Sequence, residues 1–393
     1  MIGISKLYCG STEASDVLRY GAHSKALPSH LLQFSRDKRP VVVWNVTQRC
    51  NLKCAHCYAD ATPVATTNEL TYLEAKDMLE DLAQFGCPVV LFSGGEPFLR
   101  SDLTELVEYA VRLGMRAVIS SNGTLISAKK AQDLKQAGVS YIGISLDGLE
   151  TTHDEFRGVP GAFQDAMRGI AAAQAAGIKV GLRLTVNKTN AAQIPALFAL
   201  MRERKIPRVC FYHMVAAGRG RDLDADTLSH AATRRAVDEI IDLTGRAHAD
   251  GYPLEVLTVD NHADGPYLYL RLLRENSERA AQVLKLLQMN GGNSSGIGIG
   301  CISWDGTVYP DQFWRDQPLG NVRERMFSEI WQDIAHPLLG KLKQKKQYIT
   351  GRCVKCRWLD VCGGNLRARA EAATGDIWGE DPACYLTNSE IFA

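Results

Sequence analysis

The sequence predicts an α/β fold built on one parallel sheet, followed by a small cysteine-rich C-terminal domain. Three observations carry that reading. From residue 41, short β-branched runs alternate six times with amphipathic helical stretches. The intervening helices are long enough for right-handed crossovers, which pair successive strands in parallel. From about residue 297 this rhythm gives way to short strands and a second group of cysteines. A six-unit sheet of this kind curls into a partial barrel or stays open and doubly wound, and periodicity does not separate the two. In both cases chemistry belongs at the carboxyl ends of the strands.

Val41–Asn45 reads as the first, buried strand. Thr71 and Glu74 form a capping box for a helix whose apolar side is Met78, Leu79, Leu82 and Phe85, and Gly86 stops it. Pro88–Phe92 is the second strand; Ser101 is expected to cap a helix ending at Gly114. Ala117–Ser121 is the third strand, and Ser127 caps a helix ending at Gly138. Tyr141–Leu146 is the fourth strand, followed by a helix near Phe163–Ala176. A strand at Leu182–Val186, a helix near Ala192–Arg202 and a strand at Arg208–Tyr212 complete the series. Residues 218–290 read as helical, the glycine-rich segment 291–296 as a flexible junction, and 1–40 as an extension without clear pattern. The expected division is therefore 1–40, 41–290 and 291–393.

Charged residues make up 23% of the chain and hydrophobic ones 46%, the balance of an ordinary globular protein. The net charge of +1 provides no bulk field to draw nucleic acid or an anionic membrane, so neither is expected as a partner. No apolar run approaches the ~20 residues of a membrane span, and no signal peptide is visible, so a cytoplasmic protein is expected. Of the 11 cysteines, Cys87 and Cys210 sit in apolar runs and read as buried thiols. Most of the others cluster, which marks metal ligation.

Cys50, Cys54 and Cys57 follow the first strand directly. Three thiolates at this spacing hold three corners of a [4Fe–4S] cubane and leave one iron open. A structural zinc site is the alternative, with His56 as its fourth ligand. Ser93-Gly94-Gly95-Glu96-Pro97 follows the second strand, Ser121-Asn122-Gly123-Thr124 the third, and Ser145-Leu146-Asp147-Gly148 the fourth, with Arg157 beyond it.

This C-x₃-C-x₂-C loop and its three companion segments resemble the radical S-adenosylmethionine (SAM) superfamily. The resemblance implies a partial (β/α)6 TIM-like barrel whose cluster binds and reductively cleaves SAM to a 5′-deoxyadenosyl radical. It also implies that Gly94 and Gly95 admit the methionine part of SAM and that Glu96 pairs with its amino group. Asn122, Ser145 and Asp147 are then the ribose- and carboxylate-contacting positions, and Arg157 is aimed at the SAM carboxylate. An external one-electron donor such as a flavodoxin or ferredoxin is implied as partner.

Cys353, Cys356, Cys362 and Cys384 supply four more thiolates. They resemble the SPASM/twitch extension of that superfamily in a depleted form: Asp311 and Leu366 stand where cysteines often do. The resemblance implies one second, auxiliary [4Fe–4S] cluster, with Cys301 a possible substitute ligand. Four thiolates also suit a zinc ribbon.

Longer stretches are similar to the haem-biosynthesis branch of the superfamily, and within it to the 12,18-didecarboxysiroheme deacetylases. They include residues 1–10, Arg19-Tyr20-Gly21, Pro40–Asn45, Tyr212-His213-Met214, Gly218-Arg219-Gly220, 291–296, Pro310–Trp314 and 320–325. The resemblance implies an iron-tetrapyrrole substrate, 12,18-didecarboxysiroheme, losing two acetate side chains to give iron-coproporphyrin III. Relatives in haem d1 formation, or a haem synthase acting on iron-coproporphyrin III, are the alternative. A flat polycarboxylate calls for basic groups round an apolar slot, and Arg183, Lys188, Arg219, Arg221, Arg315 and Arg323 lie at strand ends or in matched loops. Arg183 and His213 are the candidate catalytic residues, His213 as an iron ligand or proton carrier; Phe313 and Trp314 stack on the macrocycle or pack in the core. A SPASM-type peptide-modifying enzyme and a non-catalytic Fe–S carrier are the competing readings. The first lacks its full cysteine set here, and the second leaves the strand-end segments unexplained.

Overall fold

The computed structural model describes residues 1–12, 16, 39–64 and 66–392, and the side chains of all of these but 222–225. Arg19-Tyr20-Gly21 lies outside them. Eleven strands form one sheet: β1 (Ile2–Gly3), β2 (Val41–Asn45), β3 (Val89–Ser93), β4 (Arg116–Ser121), β5 (Tyr141–Ser145), β6 (Val180–Val186), β7 (Arg208–His213), β8 (Glu255–Val259), β9 (Ile299–Ile302), β10 (Thr307–Tyr309) and β11 (Gly320–Asn321). Their order is β1-β8-β7-β6-β5-β4-β3-β2-β9-β10-β11. Every pair from β9 through β2 to β8 is parallel, while β1, β10 and β11 add antiparallel edges.

The sheet is curved. Val43 on β2 and Tyr212 on β7 line the same cavity although five strand steps separate them. In a flat sheet they would stand about 24 Å apart. The ends of the order do not pair, so the barrel is partial.

The six expected strands are present with small shifts at their ends, and the Thr71 capping box and the Ser127 cap form as read. Differences lie elsewhere. The helix expected from Ser101 starts at Leu103 behind Asp102. A helix at Glu150–Arg157 went unread: its polar sequence buries only His153 and Arg157, so it lacks an apolar stripe. Residues 218–290 are not all helical, because β8 lies between the helices His230–Ala249 and Asp264–Arg274. The N-terminal residues are patterned after all. Ile2 and Gly3 pair with β8, and Ile2, Ile4 and Leu7 are buried.

The junction at 291–296 is packed. Asn293 N donates to Cys362 O (3.0 Å), and a Cβ on Gly292 would meet Cys362 O at 2.0 Å. Its glycines serve tight turns with φ near +71°. No helix among the described residues is long and apolar enough to cross a membrane.

Candidate active site and cluster sites

The site grows from the ends of β2 and β3. Gly95 N donates to Thr47 O and Glu96 N to Arg49 O, both at 2.8 Å, fastening the loop after β3 to the segment that leads into Cys50. A Cβ on Gly94 would lie 2.5 Å from Thr47 O, and one on Gly95 2.2 Å from Arg49 O. Both glycines line the cavity, but what forbids a side chain at each is the backbone of the cysteine segment.

Cys50, Cys54 and Cys57 line that one cavity together. Each sulfur accepts an N–H: Leu52 N to Cys50 (3.4 Å), Arg157 Nη1 to Cys54 (3.3 Å) and Ala61 N to Cys57 (3.5 Å). Burial pushes the Cys50 thiol up to about 12 and raises Cys54. Three sulfurs, two buried and one half-buried, with N–H donors aimed at them fit a cationic inorganic group, which makes thiolates of them. Among the described residues, no three His, Cys, Asp or Glu side chains close round a single ion. Three cysteines leave one corner of a cubane open, whereas a structural zinc site takes four closed ligands.

Of the residues expected around SAM, Gly94, Gly95, Asn122, Ser145, Asp147 and Arg157 line this cavity with Arg183 and His213. Glu96 does not. Its fully buried carboxylate accepts from Phe98 N (3.1 Å), Ser121 Oγ (2.8 Å) and Asn122 N (2.8 Å), tying the loops after β3 and β4 together. Glu96 thus holds these two loops in register. Burial raises its carboxyl despite those donors.

Arg157 and Asp147 form a buried ion pair. Burial raises the Asp147 carboxyl, but Arg157 and His56 outweigh it and hold it low. Asp147 Oδ1 also accepts from Thr185 N at 2.8 Å. Arg157 therefore spans Asp147 and Cys54. His56 stacks on Phe156 (4.4 Å between centroids), and burial lowers it to about 4, so it is neutral near pH 7.

The basic residues divide. Arg183 is half-buried, its guanidinium over the Tyr212 ring (5.0 Å), and among the described residues no carboxylate pairs with it. Arg219 braces the cysteine loop, donating to Cys54 O and Ala61 O at 3.0 Å. Arg315 covers Trp304 and donates to Ala59 O, Arg323 pairs with Glu74, and Arg221 pairs with Asp316. Arg315, Arg323 and Lys188 do not line this cavity. Trp314 is core, its indole donating to Glu371; Phe313 reaches the cavity.

Cys353, Cys356, Cys362 and Cys384 line one small pocket, and burial, joined by Cys384, Cys353 and Cys356, raises the thiol of Cys362. Arg352 donates to Cys384 O (2.8 Å) and Trp358 N to Cys356 Sγ (3.4 Å). Four sulfurs from two chain segments fit a fully ligated group. Cys301 is apart from them, buried in β9 against Val43 and Tyr309, and accepts from Asn45 Nδ2 at 3.5 Å. Nothing places it with the other four.

Sequence reading missed Asp260 and Asp264, which follow β8, and Tyr385. Asp260 lines the cavity, Asp264 pairs with His213, and Tyr385 OH donates to Asp264. The signal was there: Leu254–Val259 behind Pro253 is a β-branched run that flags a strand.

The radical SAM superfamily model matches residues 44–201, and the SPASM iron–sulfur cluster-binding domain matches 299–357. The chain is 61% identical to the Fe-coproporphyrin III synthase of Methanosarcina barkeri, over all of this chain and 99% of that one. It is 42% identical to the pre-heme d1 synthase of Dinoroseobacter shibae, over 90% and 87% of the two chains. To the AdoMet-dependent heme synthase of Oleidesulfovibrio alaskensis it is 32% identical, over 93% and 92%. Streptococcus suis SuiB bound to S-adenosylmethionine shares its fold, with a TM-score of 0.70 at 19% identity over 91% and 80%. This chain belongs to the radical SAM superfamily, in its haem-biosynthesis branch with a SPASM extension, and works with SAM, a SAM-binding [4Fe–4S] cluster and an auxiliary cluster.

Proposed function

We propose that the enzyme makes iron-coproporphyrin III by removing two acetate side chains from 12,18-didecarboxysiroheme. The observation that carries this reading is the relative 61% identical over the whole chain, which is named for that product. Its name gives the product and not the starting tetrapyrrole. None of the three names given above speaks of acetate loss, and two of the three are synthases of haem or pre-haem d1. Those names favour a second reading, a synthase further along the haem branch that decarboxylates iron-coproporphyrin III or acts in haem d1 formation.

In either reading Cys50, Cys54 and Cys57 hold the SAM-binding cluster, and Cys353, Cys356, Cys362 and Cys384 hold the auxiliary one. When bound and reduced, the first cluster with SAM supplies a 5′-deoxyadenosyl radical that takes hydrogen from the substrate. The chain's own residues position the parts. Gly94, Gly95, Asn122 and Ser145 wall the SAM side, and Arg157 with Asp147 steadies the Cys54 sulfur. Arg183, a half-buried guanidinium with no carboxylate partner among the described residues, receives a substrate carboxylate. Residues 52–61, closed over by Arg219, keep water from the site. A flavodoxin or ferredoxin delivers the electron.

Anaerobic incubation of the reduced enzyme with SAM and 12,18-didecarboxysiroheme, followed by mass analysis, tests the choice. Loss of two acetate units is expected. An unchanged macrocycle beside SAM turnover, with iron-coproporphyrin III converted instead, selects the second reading.

A further inference from the structure

We infer that His213 binds the iron of the tetrapyrrole substrate through Nδ1, with Asp264 as the residue that positions its ring. The inference rests on the proposed tetrapyrrole reading and adds to it the contact that selects an iron-bearing macrocycle.

His213 ends β7 and lines two cavities at once. One is the cavity of the three cysteines. The other has a volume of about 510 Å³ and mixed walls, with Phe211, Ala236 and Val237 beside Arg221 and Arg369. Met214 borders both as well. The ring therefore stands where this partly apolar cavity meets that of the three cysteines, and Arg183 lies on the cysteine side.

Its two nitrogens are in different positions. Nε2 lies 2.8 Å from Asp264 Oδ2. Asp264 is fully buried at the start of the helix Asp264–Arg274, and its Oδ1 accepts from Tyr385 OH at 2.5 Å. A carboxylate at hydrogen-bond distance accepts, so a ring carrying a single proton holds it on Nε2 and keeps its lone pair on Nδ1. Among the described residues, Nδ1 has no hydrogen-bond partner. A carboxylate fixing one ring nitrogen while the other is left bare is the arrangement that orients and strengthens a metal-ligating histidine. The iron here belongs to the substrate.

The test is an anaerobic titration of the cluster-loaded protein with iron-coproporphyrin III and, separately, with metal-free coproporphyrin III. Binding is followed by the Soret band and by electron paramagnetic resonance of the ferric form. Wild type is expected to give a nitrogen-ligated iron spectrum. His213→Ala should lose that spectrum and weaken the iron form by about 10–100-fold, leave the metal-free form within about twofold, and regain the spectrum on adding imidazole. Asp264→Asn should shift the iron spectrum while still binding the metal-free ring, and it carries the test if His213→Ala fails to fold. A His213→Ala protein with the wild-type iron spectrum, or with equal losses for both rings, overturns the inference and leaves the tetrapyrrole reading standing. A wild type that binds neither ring overturns both.

Discussion

Arg157 joins a cluster sulfur to the carboxylate of Asp147 inside the site, and one substitution there has two readable effects. Arg157→Gln leaves Asp147 buried without its counter-charge, which destabilises by about 3–5 kcal/mol, and removes the N–H that Cys54 accepts. A lower unfolding midpoint together with reduced iron content is expected; unchanged values for both would remove Arg157 from this role. Asp260 gives a pH signature. Burial raises its carboxyl to about 6 from an ordinary 3.8, against the pull of the N-terminal amine, Arg369 and His213. A raised acid favours the native state while protonated and loses that advantage as pH climbs, by about 3 kcal/mol across the interval between those two values. Denaturant midpoints at pH 5 and pH 7 should therefore show Asp260→Asn gaining on wild type at the higher pH; a constant gap would contradict the assignment. At this scale the cysteines, the glycine pair and Arg183 were legible from chemistry and spacing. The destination of Glu96 was not, because its partners come from loops that only the sheet register brings together.

Among the elements, the loop after β3 and the cysteine segment act as one unit, since Gly95 has no room for a methyl group against Arg49 O. Gly95→Ala must push that segment aside and is expected to cost the protein about half of its iron, the share of one of two four-iron clusters. Gly114→Ala is the control. Its φ of +87° strains an alanine by about 1–2 kcal/mol, but a Cβ there meets nothing within 4 Å. Iron content should separate the two; equal loss would show that glycine strain in general, not this contact, is responsible. The β2–β7 series was legible because buried parallel strands are β-branched runs between helices. The helix at Glu150–Arg157 was hidden by its polarity, and β8 was absorbed into a stretch read as helical because its flanks are helices.

Taken whole, the molecule does not hang its C-terminal segment on a linker. β9 pairs in parallel with β2, and the 291–296 junction is locked to Cys362. We propose that the division at residue 291 separates two cluster sites more than two folding units. Residues 1–290 alone would expose the inner edge of β2, whose residues 42–45 are buried, as an unpaired strand. That fragment should be insoluble or aggregated, and a soluble, cooperatively unfolding one would contradict the single-sheet account. This long-range pairing was not legible from the sequence, where 299–302 is a short run without its partner in view.

Electron paramagnetic resonance of the reduced protein, recorded with and without SAM, tests the central claim most directly. Two cluster signals are expected, of which SAM shifts one alone, and that one disappears when Cys50, Cys54 and Cys57 are all replaced by alanine. Signals that SAM leaves unchanged, or a SAM-sensitive signal that survives the triple replacement, would contradict it.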